Sequence, residues 1–249
     1  MKRIFLGATI FISACSGVFA ASSAEAINLV GAGAVVTRGP YQGVGTQTTA
    51  MPFFSLEYKD FYVKGAAAGY HFFRRDKLLI SAVTGPRLMG YRSGDSSALD
   101  GMKDRRMSWD AGVKAVYELP WQQLALSMEA LADVLGRYDG QEYSLEISRE
   151  FEGNIFRFIP SVGAHYQTKA LVNYYYGVRS AEAIPGRNAF EPGGEAAPFA
   201  NALFSFGIAT RWIVATKFSI EALGSQSRKS PVVDRDYILS AAAGITYRF

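Results

Sequence analysis

Long stretches of this sequence alternate between apolar and polar residues, and this alternation limits the possible folds more than any other feature. In residues 106–119, apolar side chains occupy one set of alternate positions, and charged or small residues occupy most of the other. The same pattern recurs in residues 141–151, 155–168 and 199–213. Because successive side chains of a strand point to opposite faces, each stretch predicts a strand with one apolar face.

The alternating stretches are longer than the strands of soluble β-sandwiches, which typically have about five or six residues. A tilted strand that crosses a bilayer needs about 9–11 residues. Aromatic residues also recur near the ends of the stretches, as in the girdles of membrane barrels. These are Tyr117, Tyr143, Phe151, Phe156, Tyr166, Trp212, Tyr237, Tyr247 and Phe249. The sequence therefore predicts an all-β fold, a transmembrane antiparallel up-and-down β-barrel of about 10–12 strands.

The predicted strand order contains one conflict. We expect strands at 27–37, 49–58, 61–72, 77–91, 106–119, 122–135, 141–151, 155–168, 170–179, 199–213, 216–225 and 236–249. With both termini in the periplasm, the connection 91–105 falls on the periplasmic side, where turns are short. Either the count is wrong by a strand pair or this loop has a role there. Residues 170–179 could instead belong to an outer loop, and a helix is an alternative for 122–135.

The N-terminus has the features of a secretory signal peptide. A basic start precedes a short apolar run and then small residues, which predicts a signal peptide over 1–20 with cleavage after Ala20, or alternatively after Ala26. A lipoprotein-like alternative would retain Cys15, the only cysteine, as a lipidated N-terminus. On the preferred interpretation, residues 21–249 form a single barrel domain without disulfides, which a large closed sheet would stabilise instead.

Composition argues against several other classes of protein. The chain has 26 basic and 22 acidic residues, and no cluster of Lys and Arg indicates a nucleic-acid partner. The mean hydropathy is +0.05, and beyond the N-terminus no run of about 20 apolar residues predicts a membrane-spanning helix.

No catalytic, cofactor or metal site is predicted. His165 shares a polar face with Ser161, but about 13 Å separates the two positions along a strand, so a polar interior residue is the better interpretation. His71 is interpreted as a rim or loop residue. Two isolated histidines make a zinc site unfavourable. The glycines at 31 and 33 lack the context of a phosphate loop and indicate strand curvature or close packing.

An acidic loop offers a weak calcium hypothesis. Asp95, Asp100 and Asp104 lack EF-hand spacing, so turn chemistry is the better interpretation. A second loop, "IPGRNAFEPGGEAAP", predicts a long extracellular segment that is either mobile or folded into the pore.

The predicted lipid and luminal faces carry further expectations. Phe158 and Phe204 should face lipid, whereas Ser161 should face inward. The predicted inward charges balance in sign, which favours a lumen crossed by salt bridges over a selective pore. They are Glu57, Lys64, Arg87, Asp110, Lys114, Glu129, Asp133, Glu146, Arg157, Arg211, Glu221 and Arg248.

Five sequence blocks resemble the MipA/OmpV family of outer-membrane barrels. They are "GPYQG" at 39–43, "LDGMKDR" at 99–105, "YYYGVRSAEAIPGRNAF" at 174–190, "SPVV" at 230–233 and the final "GITYRF". The resemblance implies a cell outer membrane location. It further implies a scaffold that links a murein transglycosylase to a penicillin-binding protein, or a porin-like or adhesion-related role.

Three functions follow from the residues and the resemblance together. The first is a non-enzymatic scaffold that docks peptidoglycan-remodelling and synthesising enzymes. The second is a narrow porin-like channel, and the third is an outer-membrane lipid-modifying enzyme. The expected partners are outer-membrane lipid and lipopolysaccharide, with the two cell-wall enzymes implied by the resemblance.

Overall fold

The computed structural model describes residues 28–120 and 123–249, so the predicted signal peptide, both cleavage positions and Cys15 lie outside the described residues. The strands are β1 (Leu29–Arg38), β2 (Gln47–Tyr58), β3 (Phe61–Lys64), β4 (Ala67–Arg75), β5 (Leu78–Arg87), β6 (Ser108–Glu118), β7 (Leu124–Asp133), β8 (Gln141–Arg149), β9 (Phe151–Glu152), β10 (Phe156–Gln167), β11 (Glu195–Gly207), β12 (Trp212–Ala222) and β13 (Tyr237–Arg248). One α-helix, α1, spans Lys169–Tyr176, and short 3-10 turns occupy Ser93–Asp95, Ser97–Leu99, Ser180–Glu182 and Ser227–Lys229.

These strands form one closed antiparallel barrel whose order follows the chain. Apart from β8 and β9, each strand pairs with the next, and β13 pairs with β1 to complete the ring. Because β8 and β9 both pair with β10, they form one interrupted wall strand, and the barrel has twelve wall strands in all. The predicted all-β transmembrane barrel is confirmed. Among the described helices, none is long and apolar enough to span a membrane.

The predicted strand boundaries were wrong at two places, and the two errors cancel in the count. Residues 61–72 contain two strands, β3 and β4, because the chain reverses at Gly65, whose φ of 62° suits glycine. Residues 170–179 are not a strand, since most of this stretch forms α1. Residues 122–135 contain β7, so the helix alternative for them is wrong.

The corrected strand order also places every long loop at one end of the barrel. The long connections are residues 39–46, 88–107, 134–140, 168–194 and 223–236. The connections at the other end, where both termini of the barrel lie, have only two to six residues. Since outer-membrane barrels carry short periplasmic turns and long extracellular loops, the long loops are extracellular. The conflict over residues 91–105 is thereby removed.

Side-chain exposure follows the predicted alternation. On β10, Val162 and Tyr166 are 56% and 49% exposed on the outer face, whereas Arg157, Ser161 and His165 are buried within the barrel. Most of the predicted girdle aromatics are exposed in the same way, including Tyr117, Tyr143, Phe156, Trp212 and Tyr237. The outer face is therefore apolar and rimmed by aromatic residues, as contact with lipid requires.

Close packing of β1 against β13 explains one of the early glycines. A Cβ atom on Gly31 would lie 2.0 Å from the backbone oxygen of Ile245. This distance leaves no room for a side chain, so the close-packing interpretation of the glycine at 31 is confirmed.

Candidate functional site

All five long loops meet in one apolar cluster at the extracellular mouth, which we call the lid. Its buried members come from each loop in turn: Tyr41, Val44, Tyr91, Leu99, Met102, Tyr138, Leu171, Val172, Tyr175, Tyr176, Val178, Leu223 and Val232. Several of these side chains have no exposed surface at all, as in the interior of a soluble domain. The loops therefore form a packed structure across the barrel mouth.

Helix α1 supplies four of the buried lid residues. Leu171, Val172, Tyr175 and Tyr176 recur at the spacing of one helical face. The helix ends at Gly177, whose N–H donates to the carbonyl oxygen of Asn173 at 2.9 Å. Tyr138 lies near both Tyr174 and Tyr175, with ring centroids 6.3 and 5.9 Å apart. The helical conformation thus packs one aromatic-rich face into the lid.

A buried ion pair joins two of the lid loops. Arg105 donates to Glu182 through two nitrogens, at 3.0 and 2.8 Å, and both side chains are almost fully buried. The Arg105 Nε donates to the carbonyl oxygen of Tyr174 at 2.6 Å. Burial alone would raise the pKa of Glu182. Hydrogen bonds from Arg105 and from the backbone N–H groups of Arg179 and Lys103 outweigh it, and the pKa falls to about 2. The pair therefore keeps both charges at neutral pH.

Two further family blocks, "GPYQG" and "SPVV", also contribute to the lid. The Gln42 N–H, from "GPYQG", donates to the carbonyl oxygen of Val232, from "SPVV", at 2.9 Å. The Ser230 hydroxyl donates to the carbonyl oxygen of Tyr176 at 2.6 Å. Together with the Arg105–Glu182 pair, these bonds bring four of the five blocks into direct contact.

Beneath the lid, a buried cluster of charges connects four wall strands. Arg87 on β5 donates to Asp110 on β6 at 2.7 Å and to Glu142 on β8 at 3.1 Å. Gln167 on β10 donates to the same Glu142 oxygen at 2.9 Å, and the Tyr138 hydroxyl donates from the lid to Asp110. The cluster thus ties the lid to the wall.

Further ion pairs lie lower in the lumen. Lys64 pairs with Glu57, and Arg157 pairs with Glu150. Arg211 departs from its predicted inward position, because it lies exposed in the turn before β12 and donates to the Tyr247 hydroxyl at 2.8 Å. Arg248 donates to the carbonyl oxygen of Thr210 in the same turn. The predicted ion pairing inside the lumen is therefore present for Lys64, Arg87 and Arg157. Arg211 and Arg248 instead bond to groups at the periplasmic end of the barrel.

The two histidines have separate environments. The His165 Nε2 lies 3.2 Å from a Glu221 oxygen, while Ser161 accepts from the Asn201 amide at 3.2 Å. His71 lies on β4 and not in a loop, beside the periplasmic turn between β2 and β3, because its N–H donates to the carbonyl oxygen of Asp60 at 2.8 Å. Its Nδ1 is 2.7 Å from the Ser81 hydroxyl. His165 therefore lies beside the acidic side chain of Glu221, whereas Ser161 bonds to Asn201 on β11.

The acidic loop forms turns. Asp95 accepts from the Arg92 N–H at 2.8 Å, and Asp104 accepts from the Ser93 N–H at 2.9 Å. The Asp95 bond to an N–H three residues earlier is one that Asp side chains make in turns, so the turn-chemistry interpretation is confirmed for Asp95. The Asp104 bond reaches a residue eleven positions away and so holds two parts of the loop together. Across residues 28–120 and 123–249, no group of three or more His, Cys, Asp or Glu side chains could hold a metal ion.

Comparison with known proteins identifies the family. The family model described as "MltA-interacting protein MipA" matches residues 30–249. The chain belongs to this family. The MltA-interacting protein of Escherichia coli K12 is 24% identical over all of this chain and 99% of its own length. Outer membrane protein OmpV of Vibrio cholerae is 24% identical over 79% of this chain and 76% of its own.

A solved NanC porin is similar to this MipA-family chain with a TM-score of 0.44 and 9% identity, over 90% of this chain and all of the porin chain. The relatives carry the names of interacting or outer-membrane proteins. The fold, together with these relatives, places the MipA-family chain in the outer membrane.

Sequence reasoning did not find the lid of this MipA-family protein as a unit. Tyr41, Tyr175 and Tyr176 lie within the family blocks, whereas Tyr91 and Tyr138 lie outside them, and the sequence predicts no contact between the loops. One feature of the sequence does point to the lid: Tyr, Leu and Val are frequent in segments whose turn residues predict loops. Apolar residues in a loop become buried only if another segment packs against them.

Proposed function

We propose that this MipA-family chain is a non-enzymatic structural barrel that docks a periplasmic murein transglycosylase. The observation that carries the proposal is the packed lid, which supports a scaffold over an open channel. The ion pairs beneath the lid, including the Arg87 cluster, agree with this choice because they occupy the lumen that a solute would cross. The name of the relative in Escherichia coli supplies the partner.

We place the docking surface at the periplasmic end. The lower end of β4 exposes two aromatic side chains, Phe72 and Phe73, followed by Arg74 and Arg75. A bulge between His71 and Phe73 turns this segment out of regular register. Exposed aromatic and arginine side chains are enriched at protein interfaces, and arginine also favours an acidic partner surface.

We further propose how the barrel contacts other components of the cell envelope. Residues 21–249 act as one barrel domain after removal of the signal peptide. Membrane lipid and lipopolysaccharide contact the outer face, and a penicillin-binding protein joins the complex through the docked transglycosylase.

Reversing the charge of Arg74 and Arg75 is expected to weaken docking. We expect Arg74→Glu/Arg75→Glu to lower the affinity for the purified transglycosylase at least about tenfold, since two charge contacts are lost at the interface. The affinity is measured by biolayer interferometry with the barrel in nanodiscs, and co-purified penicillin-binding protein is detected by mass spectrometry.

The matched control makes the same charge change at the extracellular end. Arg92→Glu/Arg106→Glu alters two exposed arginines in a long loop and should leave the affinity unchanged. Absence of binding by the wild-type barrel, or equal weakening by both variants, would contradict the docking proposal.

A further inference from the structure

The barrel wall is incomplete between β2 and β5 in its extracellular half. β3 has only four residues and pairs with β2 at residues 55–58. Its last residue, Lys64, pairs with Ser55, which itself pairs with Leu29 at the periplasmic start of β1. The turn after β3 therefore lies well below the extracellular end of β2, whereas on the other side only residues 85–87 of β5 extend above its pairing with β4. In the described part of the chain, residues 47–53 of β2 have a strand partner on one side alone.

We call this missing part of the wall the gap. Two strands that would normally continue upward are absent from it, so three strand spacings separate its edges, or about 14 Å. β2 forms one edge, and the other edge is the end of β5 with the chain that follows. Leu88, directly after β5, and Met51 of β2 both pack against a small apolar cluster that contains Phe53. The gap is therefore backed by apolar side chains.

Each edge of the gap carries a proline that turns its nitrogen toward the opening. The Phe54 carbonyl accepts from the Gly65 N–H at 2.7 Å, so Phe54, and with it Pro52 two residues away, faces β3 and the gap. Pro86 pairs with Trp109, whose carbonyl accepts from Val134 on the far side. Pro86 therefore also faces away from β6, toward the gap. Proline has no N–H, which removes unpaired donors from both edges.

A cavity of about 90 Å³ lies directly behind the gap and beneath the lid. Gln47 and Thr49 line it at one edge of the gap, and Leu88 and Met89 line it at the other. The far wall is polar, and the side chains there include His165, Asn201, Ser219 and Glu221. This volume holds about three water molecules, which is enough for a small head group but too little for an alkyl chain.

The lining also selects the charge of the head group. Glu221 contributes a carboxylate that is partly open, with His165 beside one of its oxygens. The remaining polar groups of the far wall are amides and hydroxyls. A primary ammonium group donates three hydrogen bonds and matches these acceptors, whereas a carboxylate would meet Glu221 as a like charge.

We propose that the gap and the cavity bind a single-chain amphiphile with an ammonium head group. The head enters the cavity and donates to Glu221. The alkyl chain stays in the gap, against Leu88 and Met51, and continues into the outer leaflet. Such an occupant also covers the upper edge of β2, where backbone groups without partners are unfavourable in lipid.

The opening is tested with a thiol reagent dissolved in the bilayer. In nanodiscs, Thr49→Cys should react with N-dodecylmaleimide at least about tenfold faster than Ser127→Cys, an inward position on β7 with strand partners on both sides. Mass spectrometry gives both rates, and heat-dependent gel migration verifies folding. Equal rates at the two positions would show that the wall is closed and would overturn the proposal.

The head-group preference is tested with two probes that share one chain length. By calorimetry against empty nanodiscs, dodecylamine should bind the wild-type barrel at least about tenfold more tightly than dodecanoate. Glu221→Gln should remove this preference, whereas Glu129→Gln, a luminal glutamate outside the cavity lining, should keep it. If Glu221→Gln does not fold, Leu88→Trp, which fills the gap, should weaken dodecylamine instead. Equal affinities for both probes, or a preference that survives Glu221→Gln or Leu88→Trp, would refute the site.

Discussion

Replacing Arg105 with alanine is expected to loosen the lid. The change leaves the Glu182 carboxylate buried without its charged partner, and breaking a buried pair in this way costs about 3–5 kcal/mol. Because each 1.4 kcal/mol corresponds to a factor of about ten, amide exchange in α1 should become at least about 100-fold faster. Hydrogen exchange with mass spectrometry measures this rate on the folded barrel.

Two variants control this prediction. Arg106→Ala removes an exposed arginine one position away and should leave exchange in α1 unchanged. The double variant Arg105→Ala/Glu182→Ala removes both charges, so part of the loss should be recovered. Slow exchange in Arg105→Ala, as in the wild type, would mean that the ion pair does not hold the loops together.

Replacing Val162 with arginine is expected to impair insertion into the membrane. Val162 lies midway along β10 on the outer face and is 56% exposed in the isolated chain. An arginine at the bilayer midplane costs about 2–4 kcal/mol, and the cost falls toward the interfaces. Folding into liposomes over a denaturant series gives the change in folding free energy.

The control places the same arginine on the same strand but closer to the membrane surface. Tyr166→Arg lies near the extracellular end of β10 and should cost about 0–1 kcal/mol. Phe158 and Phe204, which the sequence predicts to face lipid, pair with each other near the periplasmic end, so arginine there should cost less than at Val162. Equal costs at Val162 and Tyr166 would place the membrane elsewhere on the barrel.

The barrel wall could be predicted because lipid and lumen impose opposite chemistry on alternate residues. On β8, Tyr143 and Ile147 are exposed outward, while Glu142 and Glu146 between and beside them are buried inward. A period of two is a local property, so it can be recognised without knowing which strands are neighbours.

Helix α1 could not be predicted on the same basis. Its segment "ALVNYYY" contains valine and three tyrosines, which favour strands, and apolar residues fall on both alternate faces. What selects the helix is burial of Leu171, Val172, Tyr175 and Tyr176 against other loops. Those contacts are not local, so tertiary packing overrides the propensity of the segment.

The partners within the candidate site were equally hidden. Arg105 and Glu182 are 77 positions apart, and the charge of each was visible without any sign of the other. Glu142 occupies a polar position of the alternating stretch 141–151, yet its pairing with Arg87 depends on how β5 and β8 approach each other inside the barrel. The gap likewise depends on the four-residue length of β3. The sequence predicts a single strand over 61–72, and such a strand would leave no gap.

Single-channel recording of the purified wild-type protein in planar bilayers tests the closed scaffold barrel most directly. Because the lid is packed and ion pairs occupy the lumen, we expect little or no steady conductance and no ion selectivity. Arg105→Ala should add brief openings above the wild-type baseline. A large, steady conductance from the wild-type protein, selective for cations or anions, would contradict the closed lid and favour a channel.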